Sequence, residues 1–401
     1  MNARKTVFLA IFAVALLITA LWYSNARRPQ QESGVAEPAV PGLAARLNDL
    51  DRVVITGPGK QVLATLLRAD GQWRLEERNY PADAAKLREL LVGLAEARRI
   101  EAKTSNPELY SRLGVQDIDK TDAGGVQIEL AGGGEPVLLI VGENNPRGKG
   151  TYVRRVGEAQ SWLVDRNIAV DKSPANWLNR ELVDVQPDRI DEVVVERGKD
   201  RVEIAASEAA NGDFVLRNLP KGREPASDYV ADATAGLLQG LRFEDVAAAD
   251  SMAVDAASRR TARFVLRDGV RVDVESWQAD GKTWAKLAAR LDEASATAAI
   301  EAQQAKAKAE WERKLAEKAA DAAKNEGEGK AESATAEPNA AAPEPPLAVK
   351  DPAADREQRL SALRNEVETL NQRFNGRAFV LPTYKASNLN RDLEAYLKPK
   401  G

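Results

Sequence analysis

The chain has 401 residues, enough for two domains of ordinary size, with 44% hydrophobic and 29% charged residues and a formal net charge of −4. So small a charge argues against nucleic acid as a partner, which favours a basic excess or patch. Cysteine and histidine are both absent, which excludes disulfides, thiol nucleophiles, thiolate metal sites and a Ser–His–Asp triad. Carboxylates, Lys, Tyr, Ser, Thr or an oxygen-ligated metal remain for any catalysis.

The N-terminus reads RKTVFLAIFAVALLITALWYSNARR. Residues 6–23 form an uncharged, mostly apolar run. As a helix it would span roughly 27 Å, close to the ~30 Å hydrocarbon core of a bilayer. Trp22 and Tyr23 stand where an interfacial aromatic belt would be. Ser24-Asn25-Ala26 is a small-x-small site that a cleaved signal peptide would use. The length of the run, and Arg27 and Arg28 just after it, favour an uncleaved single-pass anchor instead. Basic residues flank the run on both sides, Arg4 and Lys5 before it and Arg27 and Arg28 after; the α-amino group tips the balance to a cytoplasmic tail at 1–5, which puts the bulk of the chain on the periplasmic side of the inner membrane. Residues 24–42, including RPQQESGVAEPAVP, read as a tether.

A first unit is expected over 43–184. Short apolar runs broken by Gly-Pro-Gly and Asp-Gly predict strands from about residue 50 to 77. Pro81 and Asp83 suit the first turn of a helix, and Leu87, Leu90, Leu91 and Leu94 form its apolar stripe. Hairpins are predicted around Gly132-Gly133-Gly134 and across GTYVRRVGEAQSWLVD. Ser173 and Pro174 then open a short helical segment carrying NWLNREL.

From about 185 the order repeats, giving a second unit over 185–398. NGDFVLRNL answers DGQWRLEER, and Leu237-Leu238-Gln239-Gly240-Leu241 answers Leu90-Leu91-Val92-Gly93-Leu94. GRAFVLP answers QSWLVD, and SNLNRDL answers NWLNREL. This pattern predicts an internal duplication of an α+β unit. The second copy carries an insertion at 285–374. Residues 285–324 have strong helix propensity, with Leu287, Leu291, Trp311 and Leu315 as the apolar positions. Residues 325–350 are low-complexity and read as disordered or a loose loop. Residues 352–374 carry a heptad seam, Leu360, Leu363, Val367, Leu370 and Phe374. A projecting helical hairpin, coiled-coil-like, is expected; it serves either as a solvated spacer or as an interaction arm. The expected fold is therefore α+β: an N-terminal transmembrane helix, then two related antiparallel-sheet-plus-helix units, the second interrupted by a long helical hairpin.

With these features together, the chain resembles the bacterial family called domain of unknown function 4340 (DUF4340). LNDLDRVVI, DGQWRLEERNYPADAAKLRELLVGLAEARRIEAKTSNPELYSRLGV, LLIVGENNPRGKGTYVR and SWLVD…NWLNREL carry the likeness, over most of 43–184, with an echo in the second half. The resemblance implies a membrane-anchored envelope protein. Members are often encoded beside components of a gliding-motility-type ABC transporter, which implies an accessory role. The family offers no catalytic residues to carry over, and the helical insertion departs from its plain pattern.

Candidate sites are few. GENNPRGKGTY fails the phosphate-loop spacing and reads as a glycine-rich turn, although Arg147 and Lys149 could meet an anionic headgroup or polymer. Asn179 and Arg180 in NWLNREL, and Asn390 and Arg391 in SNLNRDL, read as structural turns or as a partner surface shown twice. Glu76 with Glu77, and Asp188 with Asp191, are acidic pairs that a glycosidase could use only across a cleft. Trp73, Trp162 and Trp177 suit a core better than a sugar platform. No catalytic, cofactor or metal set emerges. The expected function is a non-enzymatic envelope scaffold with a membrane-protein partner such as ABC transporter subunits. The alternatives are an envelope hydrolase acting on glycan or peptide, and a module binding an anionic polymer or lipid.

Overall fold

The computed structural model describes residues 37–207, 213–327 and 344–399. These form two compact units: residues 37–73 with 84–173, and residues 74–83 with the described residues from 174 onward. The expected tail, anchor and most of the tether lie outside the described residues. Among the described residues no helix is long and apolar enough to cross a membrane. The end of the expected tether is already folded, because Ala39 and Val40 are buried and Pro38 bridges Arg98.

In the first unit, α1 (Leu43–Arg46) leads to β1 (Arg52–Thr56), whose Val53, Val54 and Ile55 are all buried. β2 (Val62–Ala69) turns back into β3 (Gln72–Leu75) through Asp70 and Gly71, both with positive φ. Two such residues in succession match the twist of a two-residue hairpin. β4 (Tyr80–Pro81) pairs with β3, Leu75 opposite Tyr80. Pro81 is thus strand, not the start of a helix. The cause is the Tyr80 ring, held edge-on 5.2 Å from Phe243 and 6.0 Å from Phe379. That core claims residues 74–83 for the second unit. The helix begins three residues later as α2 (Ala84–Glu96), and its predicted leucine stripe is buried, each side chain contributing about 2 kcal/mol. β5 (Arg99–Ala102), β6 (Val126–Ala131), β7 (Val137–Asn144), β8 (Thr151–Arg155) and β9 (Ser161–Val164) complete an antiparallel sheet in the order β4-β3-β2-β1-β6-β7-β8-β9-β5. Both predicted hairpins, β6–β7 and β8–β9, are present.

The second unit holds β10 (Glu181–Val183), β11 (Ile190–Arg197), β12 (Asp200–Ala206), β13 (Phe214–Leu216), α3 (Asp228–Ala235), β14 (Leu241–Arg242), β15 (Val246–Ala248), β16 (Arg260–Leu266), β17 (Val270–Ala279), β18 (Lys282–Leu291) and β19 (Arg377–Val380). Its large sheet runs β13-β12-β11-β16-β17-β18-β19-β15, the order of the first sheet from β3 to β5, with no strand answering β4. Registers agree as well. Val54 faces Thr65 on one side and Glu129 on the other, and Val194 faces Glu203 and Arg263. The helix is the part that differs. α3 stops at Ala235 and tightens into a 3-10 turn, and Gly240 has φ +53°, so 237–241 does not continue a helix as 90–94 does.

β18 and β19 are joined by residues 292–376, where β8 and β9 are joined by residues 156–160. Residues 285–291, expected as helix, are strand. A register of ten paired residues with β17 overrides the helical propensity of Ala, Lys and Leu. α4 (Glu293–Gly327) would extend about 50 Å. α5 (Leu347–Lys350) lies inside the stretch expected to be loose, and residues 328–343 fall outside the described residues. α6 (Pro352–Phe374) starts on Asp351, whose Oδ1 accepts from the Ala354 N–H at 3.0 Å. Its apolar seam is divided. Leu360 packs on Ala296 and Ile300 of α4, while Asn371 exchanges two hydrogen bonds with the Ala289 backbone of β18. From Glu312 to Ala320 every residue of α4 is exposed.

NWLNREL and SNLNRDL occupy different places. The 3-10 turn Pro174–Trp177 sets Leu178 against Ala82, and the Asp83 N–H donates to Trp177 O at 2.7 Å. The same arrangement recurs at Leu393–Tyr396: Leu397 bridges Pro225, and the Ala226 N–H donates to Tyr396 O at 2.8 Å. Trp177 therefore corresponds to Tyr396. SNLNRDL instead covers the end of α7 (Thr383–Leu389) and the turn after it. Leucine spaced by small polar residues suits either kind of turn, so the likeness of letters set the wrong register.

Candidate functional site

The leucine stripe of α2 fixes what its opposite face presents. With Leu87, Leu90, Leu91 and Leu94 turned inward, Ala84, Ala85, Arg88, Glu89, Val92 and Gly93 turn outward at helical spacing. They form one wall of an open groove of about 890 Å³ in the first unit. The other wall is Lys149, from the β7–β8 turn, with Asp165, Arg166 and Asn167 after β9.

Local chemistry brings these loops together. The Asn145 N–H donates to Gly150 O at 2.8 Å, and the Gly150 N–H donates to Asn167 Oδ1 at 2.7 Å. Arg98 and Asp165 exchange backbone and carboxylate bonds at 2.8 and 3.0 Å, which pins the start of the second loop. Arg166 pairs with Glu96 at 2.6 Å, both about half exposed. Among the described residues, Arg88 and Lys149 have neither an ion pair nor a side-chain hydrogen bond. Three cations and two carboxylates thus line the groove, and two of the cations are free. Gly93 adds a second feature. A Cβ there would meet nothing within 4 Å, yet glycine inside a helix costs about 1 kcal/mol relative to alanine.

The other sequence-derived residues are dispersed. Arg147 is exposed on the same turn as Lys149, its N–H donating to Asn145 Oδ1 at 3.1 Å, but it does not line the groove. Asn179 is exposed, and its N–H donates to Pro81 O. Arg180 is half-buried, its Nη1 3.4 Å from Asn176 Oδ1. Asn390 lines a separate hollow of about 390 Å³ beside Glu244 and Ser387. Arg391 donates to Val230 O at 3.4 Å. No hydrogen bond or ion pair joins the first Asn-Arg pair to the second among the described residues. Glu76, Glu77, Asp188 and Asp191 are all exposed. Trp177 is buried, while Trp73 and Trp162 are half-buried, with the Arg99 guanidinium 5.1 Å from the Trp162 ring. No group of His, Cys, Asp or Glu that could hold a metal ion occurs among the described residues.

The family described as domain of unknown function (DUF4340) matches residues 73–260. Over those residues the chain is similar to that family. The DUF4340 match begins and ends later than the 43–184 expected. It includes every residue that lines the groove and stops before the α4–α6 hairpin. No curated protein and no solved structure matches the chain.

Sequence reasoning missed Arg88, Arg166 and Gly93. The outward positions of α2 were readable from the leucine spacing. Their opposition to Lys149 depends on the β7–β8 and post-β9 loops meeting, which no local pattern announces.

Proposed function

We propose that the chain is a non-enzymatic, single-pass inner-membrane protein whose two units stand on the periplasmic side and bind partners. On this reading the units are two copies of one ancestral α+β module, and the partner is a membrane protein such as a subunit of an ABC-type transporter. The observation that carries the binding role is the groove on the first unit, with Arg88 and Lys149 unpaired at its walls. Unpaired cations beside small residues favour an acidic surface segment of a partner. The apolar run at 6–23 supports the address, and the shared strand order supports the duplication. Anchoring would raise the local concentration of the groove for a partner held in the same membrane.

The test is a pull-down of the full chain from detergent-solubilised membranes, read by mass spectrometry. The wild type is expected to recover a membrane protein that the doubly reversed Arg88→Glu/Lys149→Glu chain loses and Arg147→Glu retains. Recovery of no membrane protein, or equal recovery by the reversed chain, would overturn the reading. Protease treatment of spheroplasts checks the address, since a C-terminal tag should be digested without lysis.

A further inference from the structure

The turn between β3 and β4 gathers arginines within the second unit. Asn79, at its tip, sits in the left-handed region at φ 45°. Arg74 Nη2 donates to Asn79 O at 2.8 Å and to Asn79 Oδ1 at 3.0 Å. Arg377 Nη2 approaches the same carbonyl oxygen at 3.4 Å. Its Nη1 reaches Gln372 O and Arg373 O at the end of α6. Two nitrogens that share one oxygen at these distances lie within about 6 Å of each other, close enough for their charges to repel. Among the described residues no carboxylate pairs with Arg74, Arg373 or Arg377. Asp245 is taken by Arg78, through bonds of 2.7 and 3.0 Å. Glu76 and Glu77 lie on the exposed turn. Burial holds the Arg377 guanidinium below its ordinary value, with Tyr80 opposing and the neighbouring Arg74 charge adding to the lowering.

Carbonyl oxygens satisfy only part of each guanidinium. Arg74 keeps Nε and Nη1, and Arg377 keeps Nε, without a protein acceptor among the described residues. Guanidinium forks match the oxygens of a phosphate-type anion, and two such cations with open N–H groups stand close together here. We propose that Arg74 and Arg377 bind a phosphate-type oxyanion on the second unit. The site uses no residue of the groove and stands whether or not the groove binds a partner. Free phosphate and a phosphodiester headgroup share the chemistry it recognises.

The experiment is calorimetric titration of the full chain in nonionic detergent with inorganic phosphate and, separately, with glycerophosphoglycerol, a headgroup without acyl chains. Saturable binding of at least one anion is expected, weakened by added salt. Arg74→Gln and Arg377→Gln should each weaken it about tenfold or more, and Arg147→Gln should leave it unchanged. Preference for the diester would point to a lipid or polymer source, and preference for the inorganic ion to free phosphate. No saturable binding of either anion overturns the proposal. Because Arg377 also caps α6, Arg74→Gln is the deciding variant. If it melts like the wild type and binds equally well, the site is not there.

Discussion

Arg154 is a guanidinium side chain only 3% exposed. Its Nε donates to Val115 O at 2.9 Å, Nη1 to Glu158 O at 3.0 Å and Nη2 to Asp117, and the guanidinium lies 4.6 Å from the centre of the Tyr110 ring. Arg154→Ala should cost about 3 kcal/mol in urea unfolding, since Val115 O would be left buried and unpaired. Arg154→Lys should recover less than half of that, because a single ammonium cannot reach three separated acceptors. Lys385 shows the opposite economy. Its Nζ donates to Gly236 O and Gln239 O at 3.0 and 2.7 Å, and burial holds its pKa below the ordinary value, with Asp184 opposing. Between that lowered value and about 10.4, the unfolded chain binds more protons than the folded one. Stability should therefore rise with pH across this alkaline window, and the slope should vanish in Lys385→Met, as urea midpoints measured at stepped pH will show. Gly142 shows what a motif-like glycine is for. A Cβ there would lie 2.2 Å from Leu113 O, so Gly142→Ala should cost about 2–4 kcal/mol. Gly142 lies within β7, and the turn to β8 is made by residues 145–150 of the same stretch.

Elements were legible where one period dominated. The leucine stripe of α2 and the alternation in β6 and β7 led to the right structures. They failed where tertiary pairing outweighed propensity. Residues 285–291 are alanine-rich, but their partner strand was already in place, and Pro81 was drawn into β4 by an aromatic cluster assembled from distant sequence. Two predictions belong here. Gly93→Ala should stabilise α2 by about 0.5–1 kcal/mol by thermal melting while narrowing the groove, so partner recovery should fall as the melting temperature rises. In the hairpin, Gln304 Nε2 donates to Asp355 Oδ2 at 2.7 Å and to Pro352 O at 2.8 Å, with Asp355 only 7% exposed. Gln304→Ala should cost about 2 kcal/mol and speed amide exchange in α4 and α6 before the rest of the second unit.

For the whole molecule, ordered weak matches pointed to two similar sheets, and the strand orders coincide apart from β4. The boundary was harder to see. Chain position suggested a cut near residue 184, yet residues 74–83 and 174–184 fold with the C-terminal half of the chain. Nothing local marks this, since the deciding contacts lie between Tyr80 and two phenylalanines far downstream, Phe243 and Phe379. The groove was half legible for the same reason, one wall being a helix face and the other a meeting of loops.

The early Tyr80 strand has a practical consequence for dissecting the protein. A fragment starting at residue 174 would lack the ring that covers Phe243 and Phe379, and should aggregate or melt at lower temperature. A synthetic peptide spanning residues 72–84 should restore it in trans, while the same peptide with Tyr80→Ala should not. The polypeptide would then behave as a natural split protein, its second half completed by a strand synthesised long before it.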